Sequence, residues 1–496
     1  MFKAFMYLFT GNFLSKLLGL VREFLLAWAF GVTSTAAALR IAQAGVFIPI
    51  NFLTQDLLSA GCLPVFNKYR KVSDQLALSY FISLFFFVML IGVFLVITIY
   101  PIAEIWVRLL ASGFSNETML ISVRLLKVFI VSIPFIIGTS ALGYLAMAFG
   151  SYLIQSVRPS FINLGIISGV LISYIEKDIY YLAITFTISQ VCLFCLCVLY
   201  IFSRNWFLIR FPTYKQLLVF AARLWKTMKP LVLLPIFLQG YIIIERNVAS
   251  QFNESTVAAL DIARFVSDTS MALIAVPLGF LVLANISSSD KTRSEYILDK
   301  LHMVILFLLL PFSSLIVVKA DFLVSLLFEY GVFDANGTYL TSSILQIYGV
   351  SIFIHALNYQ LLKLNNAFRQ NRAFSFSTSL GLFFGAIFLL GVNTSIGLSV
   401  FGWAYLINGV TVYFLLIYQF KYFFVGIVVF IFSLAILYLS SVLSGFLPSQ
   451  TLLNNLVSSF AVLLFSSVFS GLLLFLGRYR SIFLSFYKTQ VHGKWK

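Results

Sequence analysis

A helix needs about 20 apolar residues to cross the hydrocarbon core of a bilayer. This chain repeats such a run about fourteen times, each run ended by a short polar break. The pattern predicts spans near 5–30, 36–60, 77–100, 120–148, 157–175, 179–202, 229–250, 258–286, 301–327, 340–364, 374–393, 398–420, 422–446 and 453–477. Backbone groups in lipid must be satisfied internally, and runs of this length suit helices rather than barrel strands. The first run continues into further apolar sequence without a small-residue cleavage site, so it reads as a span and not as a leader.

The polar breaks carry a second pattern. Lys68, Arg70 and Lys71 follow span two, and Arg204, Arg210, Lys215, Arg223 and Lys226 lie between spans six and seven. Lys291, Arg293 and Lys300 follow span eight, Arg369 and Arg372 follow span ten, and Lys421 follows span twelve. The intervening breaks hold Glu104, Glu117, Glu176, Asp178, Glu254, Glu329 and Asp334. Every second break is basic, which by the positive-inside rule places both termini in the cytoplasm.

The longest basic break divides the chain. The expected organisation is an N-lobe of six spans (1–202), an amphipathic cytoplasmic linker (203–228), a C-lobe of six spans (229–420), two further spans (421–477) and a basic tail (478–496). Trp206, Phe207, Leu208, Phe211, Tyr214 and Phe220 alternate with cations in the linker, a composition suited to an anionic leaflet.

Composition agrees with that architecture. Apolar residues make up 61% of the chain and charged residues 10%, with a mean hydropathy of +1.01. Soluble domains carry about 25% charged residues, so the fold class is an all-α integral membrane protein. The net charge of +16 reflects the basic loops and not a nucleic-acid-binding face. Cys192, Cys195 and Cys197 fall inside an apolar run, where they read as small packing residues; neither a metal nor a cofactor is expected.

Against this background, ionisable residues inside spans are the candidate chemistry, because an unpaired charge at mid-span costs several kcal/mol. Span one carries Arg22 and Glu23, and span two carries Arg40. Span seven carries Glu245 and Arg246, and span eight carries Asp261, Arg264 and Asp268 at spacings of three and four, on one helical face. Each half thus places an arginine-plus-acid set on its first two spans. Structural ion pairs are one reading. The other is a hydrated cavity whose guanidinium groups bind phosphate in a planar fork. In that reading Arg22, Arg40, Arg246 and Arg264 hold a diphosphate, while Glu23, Glu245, Asp261 and Asp268 balance charge or bind a coupling cation or proton. Pro49, Pro277 and Gly279 are candidate hinges within spans.

These residues also carry a resemblance. The segment Ser15-Lys-Leu-Leu-Gly-Leu-Val-Arg-Glu23, followed by Ala29-Phe-Gly31, is similar to the Leu-Gly-x-x-Arg-(Asp/Glu) and Phe-Gly motifs of the MurJ/MviN-type flippases. Ala263-Arg264-Phe265 with Pro277-Leu-Gly279, Leu327-Phe-Glu-Tyr-Gly331-Val-Phe333 and Asn366-Ala-Phe-Arg-Gln-Asn371 resemble later segments of the same family in the same order. It sits within the multidrug/oligosaccharidyl-lipid/polysaccharide exporter superfamily. The resemblance implies two six-helix lobes, alternating access and a bacterial inner-membrane location. The implied cargo is an undecaprenyl-diphosphate-linked saccharide, either lipid II or a surface-polysaccharide repeat unit. It further implies that Arg22 and Arg264 contact the diphosphate, and that the last two spans form a groove for the isoprenoid tail. The chain departs from the pattern in span two. Ala37 or Arg40 stands where peptidoglycan-precursor members carry an acid, and Asn51 or Gln55 where they carry an arginine. Glu245-Arg246 is similar to an acid–arginine pair of O-antigen and capsule flippases.

Two other classes compete. A multidrug exporter of the same superfamily predicts an aromatic, acid-lined cavity with few cations, which the arginines disfavour. A membrane-embedded polysaccharide-processing enzyme needs a catalytic loop, yet His302, His355 and His492 have no evident partner in sequence and no phosphate-binding loop of the Walker type is present. The chain reads as a transporter and not an enzyme.

Overall fold

The computed structural model describes residues 2–54, 59–204, 206, 213–229, 232–286, 291–367, 371–392, 396–419, 435–436, 438–440, 442 and 454–468. Regular structure among the described residues is entirely helical. In chain order the helices are α1 (Phe2–Phe30), α2 (Ser34–Leu53), α3 (Ser59–Arg70), α4 (Asp74–Ile99), α5 (Ala103–Leu110), α6 (Asn116–Phe129), α7 (Ile133–Ala148), α8 (Leu153–Glu176), α9 (Tyr180–Ser203), α10 (Tyr214–Met228), α11 (Leu233–Phe252), α12 (Glu254–Ile286), α13 (Lys291–Phe328), α14 (Ala335–Ala367), α15 (Asn371–Val392), α16 (Ser399–Gln419) and α17 (Asn454–Val468).

Twelve long helical segments match expected spans one to twelve, with α6 and α7 forming span four through a 3-10 turn at Ile130–Ser132. Nine spans among the described residues are long and apolar enough to cross a bilayer. The remaining three, α1, α11 and α12, carry Arg22, Glu23, Glu245, Arg246 and Asp261, while Arg40 lies on α2, one of the nine. Span thirteen and the second half of span fourteen fall largely outside the described residues, as does the tail from 478. So does Gln55.

Two short helices were not expected from the apolar pattern, α3 and α5, whereas α10 lies within the linker expected to be amphipathic. A break interrupts α13, where Lys319 leaves the helical region (φ −126°, ψ 30°). Pro311 does not break that helix, and α2 and α12 run through Pro49 and Pro277.

The chain divides into two compact units, one of residues 1–262 with 327–338 and one of 263–326 with 339–496. In the first, α4 is peripheral: Phe86, Phe87, Leu90, Phe94 and Ile97 are exposed and form an apolar face suited to lipid. α2 sits deep, with Ala37, Ala38, Ile41 and Ala42 at or near zero exposure. In the second unit α14 is central. Tyr348, Phe353, Leu357 and Leu364 are fully buried, and Tyr348 packs on Tyr405 of α16 at 4.9 Å.

Two loops of the first unit clasp the ends of helices in similar ways. Residues 111–115, between α5 and α6, lie on the end of α11. Gly113 N donates to Ser250 Oγ at 3.1 Å, and Asn247 Nδ2 donates to the Leu109 carbonyl at 2.9 Å. Residues 329–334, between α13 and α14, lie on the end of α1, where Val332 N donates to the Trp28 carbonyl at 3.0 Å. Each following helix starts on a polar cap: Ser115 Oγ accepts from Thr118 N, and Asp334 Oδ1 accepts from Gly337 N. A glycine makes each clasp possible. A Cβ on Gly113 would lie 2.2 Å from the Ser250 carbonyl oxygen, and one on Gly331 would lie 2.4 Å from that of Trp28. Gly331 also has φ +69°, a conformation that L-residues disfavour.

Glu254, in the turn between α11 and α12, adds a carboxylate to the first clasp. It accepts from Ser115 N at 2.5 Å and from Thr118 Oγ1 at 2.7 Å. Partial burial raises its pKa, but these hydrogen bonds outweigh burial and leave it below the ordinary value. A carboxyl whose folded pKa is depressed contributes stability above its unfolded pKa, and that contribution is lost as pH falls through the folded value. Protection of amides 111–118 in hydrogen exchange is therefore expected to fall on acidification below about pH 4. Glu254→Gln should lower it at neutral pH and abolish the acid dependence. Gly331→Ala should speed exchange at 329–334 while leaving 111–118 unchanged, and Gly113→Ala the reverse.

Candidate functional site

Five ionisable side chains from four helices form one connected chain within the first unit. On α1, Arg22 donates through Nε (3.1 Å) and Nη2 (2.5 Å) to Glu23 Oε1. On α2, Arg40 donates through Nη1 to the same Oε1 at 3.2 Å and through Nη2 to Glu23 Oε2. Arg40 Nε lies 3.9 Å from Asp261 Oδ2 of α12. Asp261 in turn accepts a bidentate pair from Arg246 of α11, at 3.1 Å and 2.8 Å. The order is cation, acid, cation, acid, cation.

Local sequence explains the placement. Arg22 and Glu23 are consecutive, so their side chains leave α1 about 100° apart, and the long guanidinium stem curls back to reach the carboxylate. Thr33 caps α2 by accepting from Ala36 N, and Arg40 follows one to two turns later on the buried side of that helix. Arg246 and Asp261 sit either side of the α11–α12 turn, about four turns of helix in all, so the two face each other across an antiparallel pair.

Burial sets the strength of these contacts. The Glu23 side chain is 2% exposed and that of Arg40 is 10%, so their attraction acts in a medium far less polar than water. Arg22 is the most open member at 23%. Its remaining nitrogen, Nη1, donates to Asn163 Oδ1 of α8 at 2.9 Å, and Asn163 Nδ2 donates to the Ser15 carbonyl of α1 at 2.9 Å. Beside this chain Arg40 lines a small pocket, with about 10 Å³ of water-accessible space, together with Leu26, Ala27, Phe30, Ala258 and Ile262.

The geometry brings together Arg22, Glu23, Arg40, Arg246 and Asp261. Glu245 is fully buried on α11 beside Arg246. Arg264 and Asp268 belong to the second unit, where Arg264 is half-buried and lies near enough to His355 of α14 to act on it electrostatically, while Asp268 is exposed. Reasoning from ionisable residues passes over Asn163, the partner that fixes Arg22 from 141 positions away; a lone amide within the apolar run of α8 is its only mark in the sequence. Arg158 and Lys319 are among the other cations in spans that take no part in these pairs. Arg158 lies against Tyr144 and Cys197, and Lys319 Nζ is 3.4 Å from Asn455 Oδ1. Among the described residues no cluster of His, Cys, Asp and Glu is arranged to hold a metal.

Long apolar helices enclosing a charged, partly open interior define a polytopic membrane transporter. Known proteins agree. The family model for the lipid II flippase MurJ matches residues 26–476, and the chain belongs to that family, whose members are transporters rather than enzymes. A probable lipid II flippase MurJ of Thermotoga maritima is 24% identical over 372 residues, 75% of each chain. One from Rhizobium tropici is 26% identical over 364 residues, covering 68% of this chain and 65% of the relative. In fold, the chain is similar to a lipid II flippase MurJ in an inward closed conformation, with a TM-score of 0.78 at 22% identity over 95% of this chain and 100% of that one. A multidrug resistance transporter in an inward-facing conformation gives 0.66 at 14% identity, over 86% and 94%.

The ion chain predicts an order of sensitivities. Glu23→Gln strips the shared carboxylate from two buried guanidinium groups, a loss of about 3–5 kcal/mol for a buried pair. Asn163→Ala removes one hydrogen bond to a charged group, about 1.5–3 kcal/mol. Thermal unfolding in detergent should show the larger drop in midpoint for Glu23→Gln.

Proposed function

We propose that the chain carries an isoprenoid-diphosphate-linked saccharide, lipid II, from the inner to the outer leaflet of a bacterial cytoplasmic membrane by alternating access. The observation that carries this reading is the Arg22–Glu23–Arg40–Asp261–Arg246 chain, least buried at Arg22. Its three guanidinium groups exceed its two carboxylates by one charge. An excess of this kind suits a diphosphate, which brings one negative charge per phosphate. The planar donor fork of Arg22 is the natural first contact, since arginine stays charged and binds phosphate oxygens in pairs. Arg264, one turn beyond Asp261 on α12, is the expected second contact, assisted by Arg246 and Arg40.

The acids have a distinct task. With no cargo they hold the guanidinium groups apart, since bare like charges in a low-dielectric interior repel strongly. Cargo entering at Arg22 competes with Glu23 for the same donors. Glu245 and Asp268 extend the acidic set, and a cation or proton taken up on it offsets the second phosphate charge. One elementary charge moving through 100 mV supplies about 2.3 kcal/mol, enough to bias each cycle. Pro49, Pro277 and Gly279 are the proposed hinges, and the isoprenoid tail stays in lipid beside residues 421–477.

The test is flipping in proteoliposomes. Arg22→Ala and Arg264→Ala are each expected to lower the rate at least about tenfold, and Arg22→Lys to recover part of it, because a point charge replaces the fork. Unchanged flipping in Arg22→Ala overturns the assignment. A depletion strain separates cargoes by mass: accumulated peptidoglycan precursor supports lipid II, and an accumulated surface-polysaccharide repeat assigns the other substrate.

A further inference from the structure

The linker helix α10 has three sides, and among the described residues only one of them meets protein. Its start is fixed by a capping box between Thr213 and Gln216. Phe220 and Leu224, four apart, are 4% and 9% exposed. The Phe220 ring meets Tyr69 of α3 at 5.1 Å and Tyr80 of α4 at 5.3 Å, both edge to face. Arg223 lies over the Tyr69 ring at 4.8 Å. This side anchors α10 to the first unit.

A second side is apolar and uncovered. Tyr214, Leu217, Leu218 and Trp225 are 74%, 41%, 55% and 62% exposed, and their spacing places them on one strip. The third side is cationic: Lys215, Lys226 and Lys229 are exposed, and exposed Lys68 and Lys71 stand at the end of the adjoining α3. The nearby Asp74 is already paired with Arg70 at 3.1 Å.

Position decides what covers this surface. α10 rests on Tyr80, and the lipid-facing side of α4 begins at Phe86, six residues on, about 9 Å along the helix axis. The helix therefore lies at the edge of the apolar band, where acyl chains give way to headgroups. We propose that α10 is a docking surface for acidic phospholipids. Leu217, Leu218 and Trp225 enter the acyl boundary while Lys215, Lys226 and Lys229 hold anionic headgroups, an arrangement typical of interfacial helices.

The full chain in nanodiscs provides the test, read by hydrogen exchange of amides 214–228. With about one-third phosphatidylglycerol, protection should be about tenfold higher than in phosphatidylcholine alone. The difference should vanish in the K215Q/K226Q/K229Q variant and at about 0.5 M salt, where screening is short-ranged. Among the described residues none of the three lysines makes a contact that anchors the helix, so the variant is expected to keep its fold, which unchanged exchange at Tyr69–Tyr80 verifies. Equal protection in the two lipids overturns the proposal and leaves Phe220 and Leu224 as the whole attachment. A lipid difference that persists in the triple variant overturns it too. Capture of the helix by a protein partner gives the first of these results, since the purified chain is then indifferent to lipid. The outcome is independent of whether the chain flips a saccharide.

Discussion

Glu23 shares one buried carboxylate between two guanidinium groups from different helices, and the charged interior of the first unit is organised around that sharing. Removing an ion from water costs several kcal/mol even after relaxation, and the cost is recovered only where partners and hydrogen bonds are complete. Glu23 meets that condition by taking Arg22 on one side and Arg40 on the other, while Asp261 repeats the device with Arg40 and Arg246. The charges are thus held close to neutral without being dispersed. Such a chain keeps its guanidinium donors in place without leaving any buried charge bare.

The clasps at the helix ends complement that interior. α1 and α11 each carry one arginine of the chain, and each is gripped at its end by a loop that approaches backbone to backbone through a glycine. The two loops follow short helices of similar composition, Ala103–Leu110 and residues 320–328, and both lead into a capped long helix. The helices that bear the site are therefore fixed near their ends by contacts that depend on the absence of a side chain, at Gly113 and at Gly331. Between those points they are held by paired charge.

Much of the fold was legible in the chain. The runs that predicted spans one to twelve match long helices, most ends within a few residues and the start of span nine within ten, because the requirement for about 20 apolar residues with every backbone group satisfied leaves few alternatives. The buried arginines and acids were legible for the same reason: a charge inside such a run is conspicuous. The short helices α3 and α5 were not, since they lie in or beside polar breaks where no long periodic constraint acts; α10 was, through the alternation of apolar residues and cations in the linker. Asn163 was invisible as a partner of Arg22, because a single amide in a span has many possible uses. The break in α13 falls at Lys319 and not at Pro311, so proline content alone did not locate it.

By itself the sequence determined the solvent, the number of long crossings up to span twelve and the positions of the costly charges, because hydropathy and charge are properties of each residue wherever it lies. It also placed Asp261 and Arg264 one turn apart, as helical period alone requires. Tertiary structure decided which charges meet. Arg40 pairs with Glu23 across 17 positions, Arg246 with Asp261 across 15, and Arg22 reaches Asn163 across 141. Those partnerships depend on helix rotation and on close approaches of a few ångströms, quantities that no pattern of apolar and polar residues encodes.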